Sequence, residues 1–185
     1  MDVRKVWRVI KISSIPKGRR LVKSKWVFDT KRSGLFKVRL VACGYSQILG
    51  VDFTESYAPV INDVCWRTLV IAMLVQKLEA KIIDVLTAFL YGDLDEDIYM
   101  SCKEVHGERE VLLLPHAIYG LMQAARSFYL KFKEKLRKIG LGDIPIHVCC
   151  IGKMKMEFVF DDSLLVGHEK AIQQTIDDLK KRVLI

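Results

Sequence analysis

Two adjacent aspartates, Asp161 and Asp162, stand between the apolar runs Phe158-Val159-Phe160 and Leu164-Leu165-Val166. A third, Asp84, follows Ile82-Ile83, 77 residues before Asp161. Aspartate is common in tight turns because its side chain bonds nearby backbone, so the pair has a plain structural reading as a hairpin tip. Carboxylates are also hard oxygen ligands suited to Mg²⁺. Three that converge could hold two divalent cations about 4 Å apart, an arrangement used for in-line phosphoryl transfer. As a structural residue Asp84 would be a helix cap or turn former; at the end of an apolar strand it is also well placed as a ligand. Residue types and spacing alone leave both readings open. The decision falls to the elements that carry the three acids.

The residues around the pair, Met154 to Phe160 and Ser163 to Gly167, read as a β-hairpin, and Lys81 to Val85 as a short strand ending in acid. Upstream, Val6 to Ile12 is β-branched and reads as a strand, and Pro16-Lys17-Gly18 as a turn. Lys25 to Phe28 and Phe36 to Val41 read as a second hairpin around Ser33-Gly34, with Lys37 and Arg39 two apart and so on one face. Two cations on one strand face make a phosphate grip or a solubilising pair. Gly44 to Pro59 is loop-like, and Asn62 or Asp63 can cap a helix from about Val64 to Leu78. Its few charges predict a mostly buried helix. Gly92 to Asp97 reads as a solvated acidic loop without calcium-loop spacing, and Leu112 to Gly120 as an apolar stretch broken by Pro115. Ala124 to Ile139 is amphipathic, with Phe128, Phe132, Leu136 and Ile139 on one face and Gly140 as its stop. Glu169 to Leu184 is a second such helix, with Ile172, Ile176, Leu179 and Val183 inward. The order predicts an α+β fold, with helices packed on one face of an antiparallel sheet.

The chain of 185 residues fits one domain, or one domain with a small appendage, and 51% hydrophobic content with a mean hydropathy of +0.17 argues against disorder. The longest apolar run, Leu69 to Val75, is too short for a membrane span, and the N-terminus has no secretory pattern; an intracellular, cytoplasmic protein with no membrane partner is expected. Cys43, Cys65, Cys102, Cys149 and Cys150 form no zinc spacing and are expected reduced. The net charge is +8, yet residues 1–39 hold thirteen Lys/Arg against Asp2 and Asp29, a local +11 that leaves −3 for the rest. That asymmetry suits a face that meets a polyanion, or simply a solvated basic surface.

Ordered blocks resolve the choice. Lys25-Trp26-Val27-Phe28, Lys37 to Gln47, Gly50-Val51-Asp52-Phe53 and Tyr57-Ala58-Pro59-Val60 are followed by Asp84 to Leu94, Ile98-Tyr99-Met100, Ile118 to Ala124 and Val159-Phe160-Asp161-Asp162. In this order the chain resembles the reverse transcriptase of Ty1/copia-type retrotransposons over nearly its whole length. The resemblance implies a right-hand polymerase: residues 1–63 mainly fingers, 64–185 fingers and palm, with no thumb and no ribonuclease H domain. It implies an RNA-directed DNA polymerase whose partners are an RNA/DNA primer-template, extended at the primer 3′-end, and deoxynucleoside triphosphates. Asp84, Asp161 and Asp162 would bind two Mg²⁺ or Mn²⁺ ions, and Lys37 and Arg39 would meet the triphosphate. Phe89 falls where an aromatic crowds the sugar 2′ position, and Gln123 lies in the segment that approaches template and nucleotide. Departures from the family pattern are Leu86 for Lys, Cys43 for Lys, Ala125 for Pro, Phe128 for Trp, Val159-Phe160 for Tyr-Val, and a short Gly140 to Met154 segment. They suggest a truncated, weakened copy, the alternative being a non-catalytic nucleic-acid-binding or co-opted remnant.

Overall fold

The computed structural model describes residues 6–60, 63–101, 110–138, 148–151, 154–159 and 162–182, with backbone alone for those among 148–163. Its strands are β1 (Arg8–Lys11), β2 (Leu21–Val22), β3 (Ser24–Thr30), β4 (Phe36–Ala42), β5 (Glu79–Asp84), β6 (Asp93–Met100), β7 (Glu110–His116), β8 (Val148–Ile151), β9 (Met154–Val159) and β10 (Asp162–Gly167). The helices are α1 (Asp63–Val75), α2 (Ala124–Lys138) and α3 (Glu169–Arg182). The chain divides into two units, Met1–Tyr57 with Phe89–Phe128, and Ala58–Ala88 with Tyr129–Ile185. The α+β class with antiparallel sheets is as the sequence predicts.

The first unit holds a sheet of order β1-β7-β6-β2 and the separate hairpin β3-β4. All pairs are antiparallel except β2 with β6, where Leu21 faces Tyr99. β7 is the centre: it pairs β1 from Arg8↔Leu113 to Lys11↔Glu110 and β6 at Ile98↔Leu114 to Met100↔Leu112. Pro115 fits inside this strand because the β6 register breaks between Asp93 and Ile98, where no ladder bond is needed from it. Ile98, Met100, Leu112, Leu114, Ala117 and Ile118 are buried with Val22, Leu40, Ala42 and Leu121 in one core, and Trp26 and Phe89 pack against it half-buried.

Residues 93–97 correct the reading of an acidic loop. They form the first half of β6, with Asp93, Asp95 and Asp97 exposed and Leu94 and Glu96 half-buried. Alternation is present in this segment, but its acids mask it by low strand propensity, which pairing at Asp93↔His116 and beyond Ile98 overrides.

The second unit holds the sheet β5-β10-β9-β8, antiparallel throughout. Strand β8 was not predicted. Leu165 and Val166 of β10 are fully buried, and α1 and α3 both pack against this strand. Ile172, Ile176 and Leu179 are buried in α3, and Phe128, Phe132 and Leu136 in α2, at the predicted spacings. Ile139, Gly140 and Val183 lie outside the described residues.

Helix α1 departs from expectation. Only Leu69 is fully buried, while Val64, Ile71, Leu74 and Val75 are exposed, Val75 at 76%. Its apolar residues lie all round the cylinder, so packing against β10 covers one side and leaves others open. It ends before Leu78 in paired bonds, Leu78 N–H to Met73 O at 2.9 Å and Lys77 N–H to Leu74 O at 3.3 Å, with Lys77 left-handed at φ 50°.

Candidate active site

Asp84 is the last residue of β5, a strand whose β-branched Ile82 and Ile83 alternate between faces. Ile83 is buried, whereas Ile82 is 74% exposed and Asp84, two residues on, is exposed beside it. The antiparallel register then sets Asp162 directly opposite Asp84, at adjoining ends of β10 and β5. Directly opposed residues in such a ladder have Cα atoms about 4.5–5.5 Å apart. The same Asp162 also opposes Val159 of β9. Asp161 lies outside the described residues, as does the side chain of Asp162. Two of the three expected acids are therefore brought together by backbone pairing alone, although they are 78 residues apart.

The turn that follows Asp84 is unusual. Val85 and Ala88 are buried, Leu86 and Thr87 exposed, and Thr87 has φ 57°, a left-handed conformation that β-branched residues rarely adopt. Its hydroxyl donates to the Leu86 carbonyl at 2.6 Å. Two buried anchors hold a strained turn directly after the exposed acid.

The basic pair sits in the first unit. The β3-β4 hairpin closes as predicted, with Gly34 N–H donating to Lys31 O at 2.8 Å and Gly34 at φ 80°. Register places Lys37 opposite Asp29 and Arg39 opposite Val27. Both cations are half-buried on one face, while Phe36 and Val38 on the other are exposed. The Arg39 guanidinium carbon lies 5.7 Å from the centroid of the Tyr119 ring. Phe89 lies 4.8 Å from the same ring at 58° and 6.4 Å from Phe128 at 71°. Arg39 and Phe89 thus meet through one intervening ring.

Backbone bonds fix that ring. Ala42 N–H donates to Tyr119 O at 2.8 Å, and Gly44 N–H to Gly120 O at 3.1 Å. Gly120 has φ 92°, and a Cβ there would stand 2.1 Å from Ala42 O. Only glycine lets this segment lie against the end of β4.

Gln123 is 4% exposed and is occupied within the protein. Its amide donates to Asp52 O at 3.1 Å and its oxygen accepts from the Gln47 amide at 3.1 Å. The Gln47 oxygen accepts from Met122 N–H at 2.9 Å, and buried Asp52 accepts from Ile48 N–H at 2.8 Å. Arg126 pairs with Glu55, and Thr54 donates to Glu96, at 3.1 Å from its N–H and 3.2 Å from its hydroxyl. The long loop 44–57 is therefore pinned at several points. Tyr119, Gln47 and Asp52 carry this construction, and their only sequence signal was membership of the ordered blocks.

Among the described residues no group of three His, Cys, Asp or Glu side chains converges. The donor chemistry at the β5-β10 end nevertheless fits a divalent cation: an exposed carboxylate, with a second aspartate at the facing register position and a third next to it in the chain. No helix among the described residues is long and apolar enough to cross a membrane.

Comparison with known proteins follows the same lines. A family model described as reverse transcriptase (RNA-dependent DNA polymerase) matches residues 4–184. The retrovirus-related Pol polyprotein from transposon TNT 1-94 of Nicotiana tabacum is 36% identical over 178 residues, covering 88% of this chain and 13% of that protein. The truncated transposon Ty1-A Gag-Pol polyprotein of Saccharomyces cerevisiae is 25% identical over 169 residues, covering 89% of this chain and 14% of that one. The chain thus spans a small part of the length of these relatives. Telomerase from Candida albicans, solved with a fragment of telomeric RNA, superposes with a TM-score of 0.50 at 10% identity, over 96% of this chain and 42% of that one. At that identity the likeness concerns the fold.

Proposed function

The chain belongs to the reverse transcriptase family and is a reverse transcriptase domain of the Ty1/copia-type Pol polyproteins, and from that membership we propose that it catalyses RNA-directed DNA synthesis. Residues 1–63 serve mainly as fingers and 64–185 as fingers and palm. The observation that carries the proposal is the register that sets Asp162 against Asp84 at the adjoining ends of β5 and β10. Reverse transcriptases generally use divalent metals. Asp84, Asp161 and Asp162 would hold two Mg²⁺ or Mn²⁺ ions, whose chemistry when bound is to acidify the primer 3′-hydroxyl and neutralise charge on the leaving pyrophosphate.

The chain's own residues do the rest. Lys37 and Arg39, on one strand face, draw in and orient the triphosphate of an incoming deoxynucleotide. Phe89 presses on the sugar where a 2′-hydroxyl would stand, and its packing on Tyr119 and Phe128 keeps it there. Gln123 acts by holding the loop through Asp52 and Gln47. The partners are a primer-template of RNA and DNA, and deoxynucleoside triphosphates.

The test is primer extension by the purified chain on an RNA template with Mn²⁺ at low salt. Incorporation that disappears in Asp84→Asn and Asp161→Asn supports the proposal; no incorporation above those variants sinks it. A drop of at least about a hundredfold is expected, the upper end of what even outer-shell partners of a metal cost. The departures at Leu86 and Val159-Phe160 favour a second reading, a nucleic-acid-binding module without catalysis. That reading requires binding to survive Asp161→Asn unchanged.

A further inference from the structure

Arg39 and Phe89 are fifty residues apart in sequence, and one side chain stands between them in the fold. The Tyr119 ring has the Arg39 guanidinium carbon 5.7 Å from its centroid and the Phe89 ring 4.8 Å away. Phe89 has Phe128 as a further neighbour at 6.4 Å. The position of Tyr119 is set by β4, the strand that carries Lys37 and Arg39, through Ala42 N–H to Tyr119 O at 2.8 Å. Gly120, at φ 92° with no room for a Cβ, locks the next residue against the same strand.

We infer that Tyr119 is a positioning residue that couples the grip on the triphosphate to the choice of sugar. The inference rests on the polymerase reading above. A ring that excludes a 2′-hydroxyl does so by overlap, and overlap discriminates only where the ring cannot yield. Phe89 is held by Tyr119 and Phe128, so turning it aside disturbs a packed set of rings rather than one rotamer. Arg39, drawn over the Tyr119 face, is already oriented, so less side-chain freedom is lost when it meets phosphate. Because one ring serves both neighbours, its loss changes two readouts together: the KM for the triphosphate and the preference for deoxy- over ribonucleotide. A side chain that merely stabilised the fold would lower activity with both nucleotides alike.

The experiment compares wild type, Tyr119→Ala and Tyr119→Phe in single-nucleotide incorporation of a deoxynucleotide and its matching ribonucleotide. Binding of the same two triphosphates is measured in parallel by calorimetry with Ca²⁺, which needs no turnover. Tyr119→Ala lowers the deoxy/ribo ratio of kcat/KM by about five- to tenfold, the size an aromatic pair supplies, and raises KM more than it lowers kcat. Tyr119→Phe, which keeps the ring, restores the ratio. Where circular dichroism shows that Tyr119→Ala does not fold, Tyr119→Leu takes its place, since it keeps most of the volume without the ring. A ratio unchanged in the ring-less variant, or an equal loss of kcat with both nucleotides at constant KM, overturns the inference and leaves the polymerase reading standing. A wild type that neither binds nor incorporates either nucleotide overturns both.

Discussion

Thr87 shows how much a single residue reveals about the construction of the site. A threonine at φ 57° has its branched Cβ crowded against its own backbone, and glycine would not. Thr87→Gly relieves a left-handed penalty of about 1–2 kcal/mol but loses about 0.5–1 kcal/mol to the entropy that glycine adds to the unfolded chain and about as much with the hydroxyl bond to Leu86 O, so its stability should stay within about 0.5 kcal/mol of wild type. Thr87→Val keeps the strain and loses the same bond, so it should lower stability by about 0.5–1 kcal/mol. Urea unfolding of the three proteins checks the order; a Thr87→Gly variant less stable than Thr87→Val would mean that the backbone strain is smaller than the entropy glycine adds. Nothing in the types or spacing of Leu86-Thr87-Ala88 announces this conformation, because a torsion imposed by buried Val85 and Ala88 leaves no pattern in sequence. Asp84 gave a signal of another kind: an acid that ends an apolar strand reads as a cap, a turn former or a ligand, and its membership of the ordered blocks singled out the last. Tyr119 was not legible, since a tyrosine in an apolar block gives no sign of which side chains it will meet from positions 39 and 89.

At the scale of elements, the hairpins and the amphipathic helices were readable wherever periodicity and turn chemistry agreed. Lys25 to Val41 closes around Gly34, and α2 and α3 bury the faces their spacing predicted. Elements defined by long-range pairing were not readable. The acids of β6 belong to a strand because β7 pairs with it, and the weakly patterned β8 exists beside β9 for the same reason. The exposure of α1 was hidden too, because a low charge count describes the helix and not what covers it. The joint between β4 and the 117–123 segment is the element-scale feature most open to test. Gly120→Ala meets both a left-handed φ and a backbone oxygen 2.1 Å from the new Cβ, so the segment must move off β4. A loss of about 2–3 kcal/mol is expected, the range of a strained backbone position. Chemical denaturation measures it, and a loss below about 0.5 kcal/mol, the ordinary surface range, would show that the joint gives way freely.

Over the whole molecule, charge is the property that belongs to no single element. The basic residues crowd into positions 1–39, and among the described ones Lys31 and Arg32 are exposed at the tip of the β3-β4 hairpin, beside exposed Phe28, Leu35 and Phe36. Cations next to exposed aromatic rings are the ingredients with which proteins track a nucleic-acid strand, the cations releasing counterions from phosphates and the rings offering faces to bases. If the basic region meets a primer-template, affinity must fall steeply with salt, by about 0.7–0.9 log units per log unit of salt for each phosphate neutralised. Removing Lys31 and Arg32 together should then flatten the slope by about 1.5. Asp161→Asn leaves the slope in place, because the acid neutralises no phosphate. Fluorescence anisotropy with a labelled RNA–DNA primer-template between about 50 and 200 mM salt reads the slope directly, over a range in which several phosphate contacts change affinity by orders of magnitude. A slope near zero would remove the basic region from substrate binding and return it to the role of a solvated surface. A steep slope shared by wild type and Asp161→Asn, alongside incorporation by wild type alone, would assign grip to the basic N-terminal region and chemistry to the three aspartates.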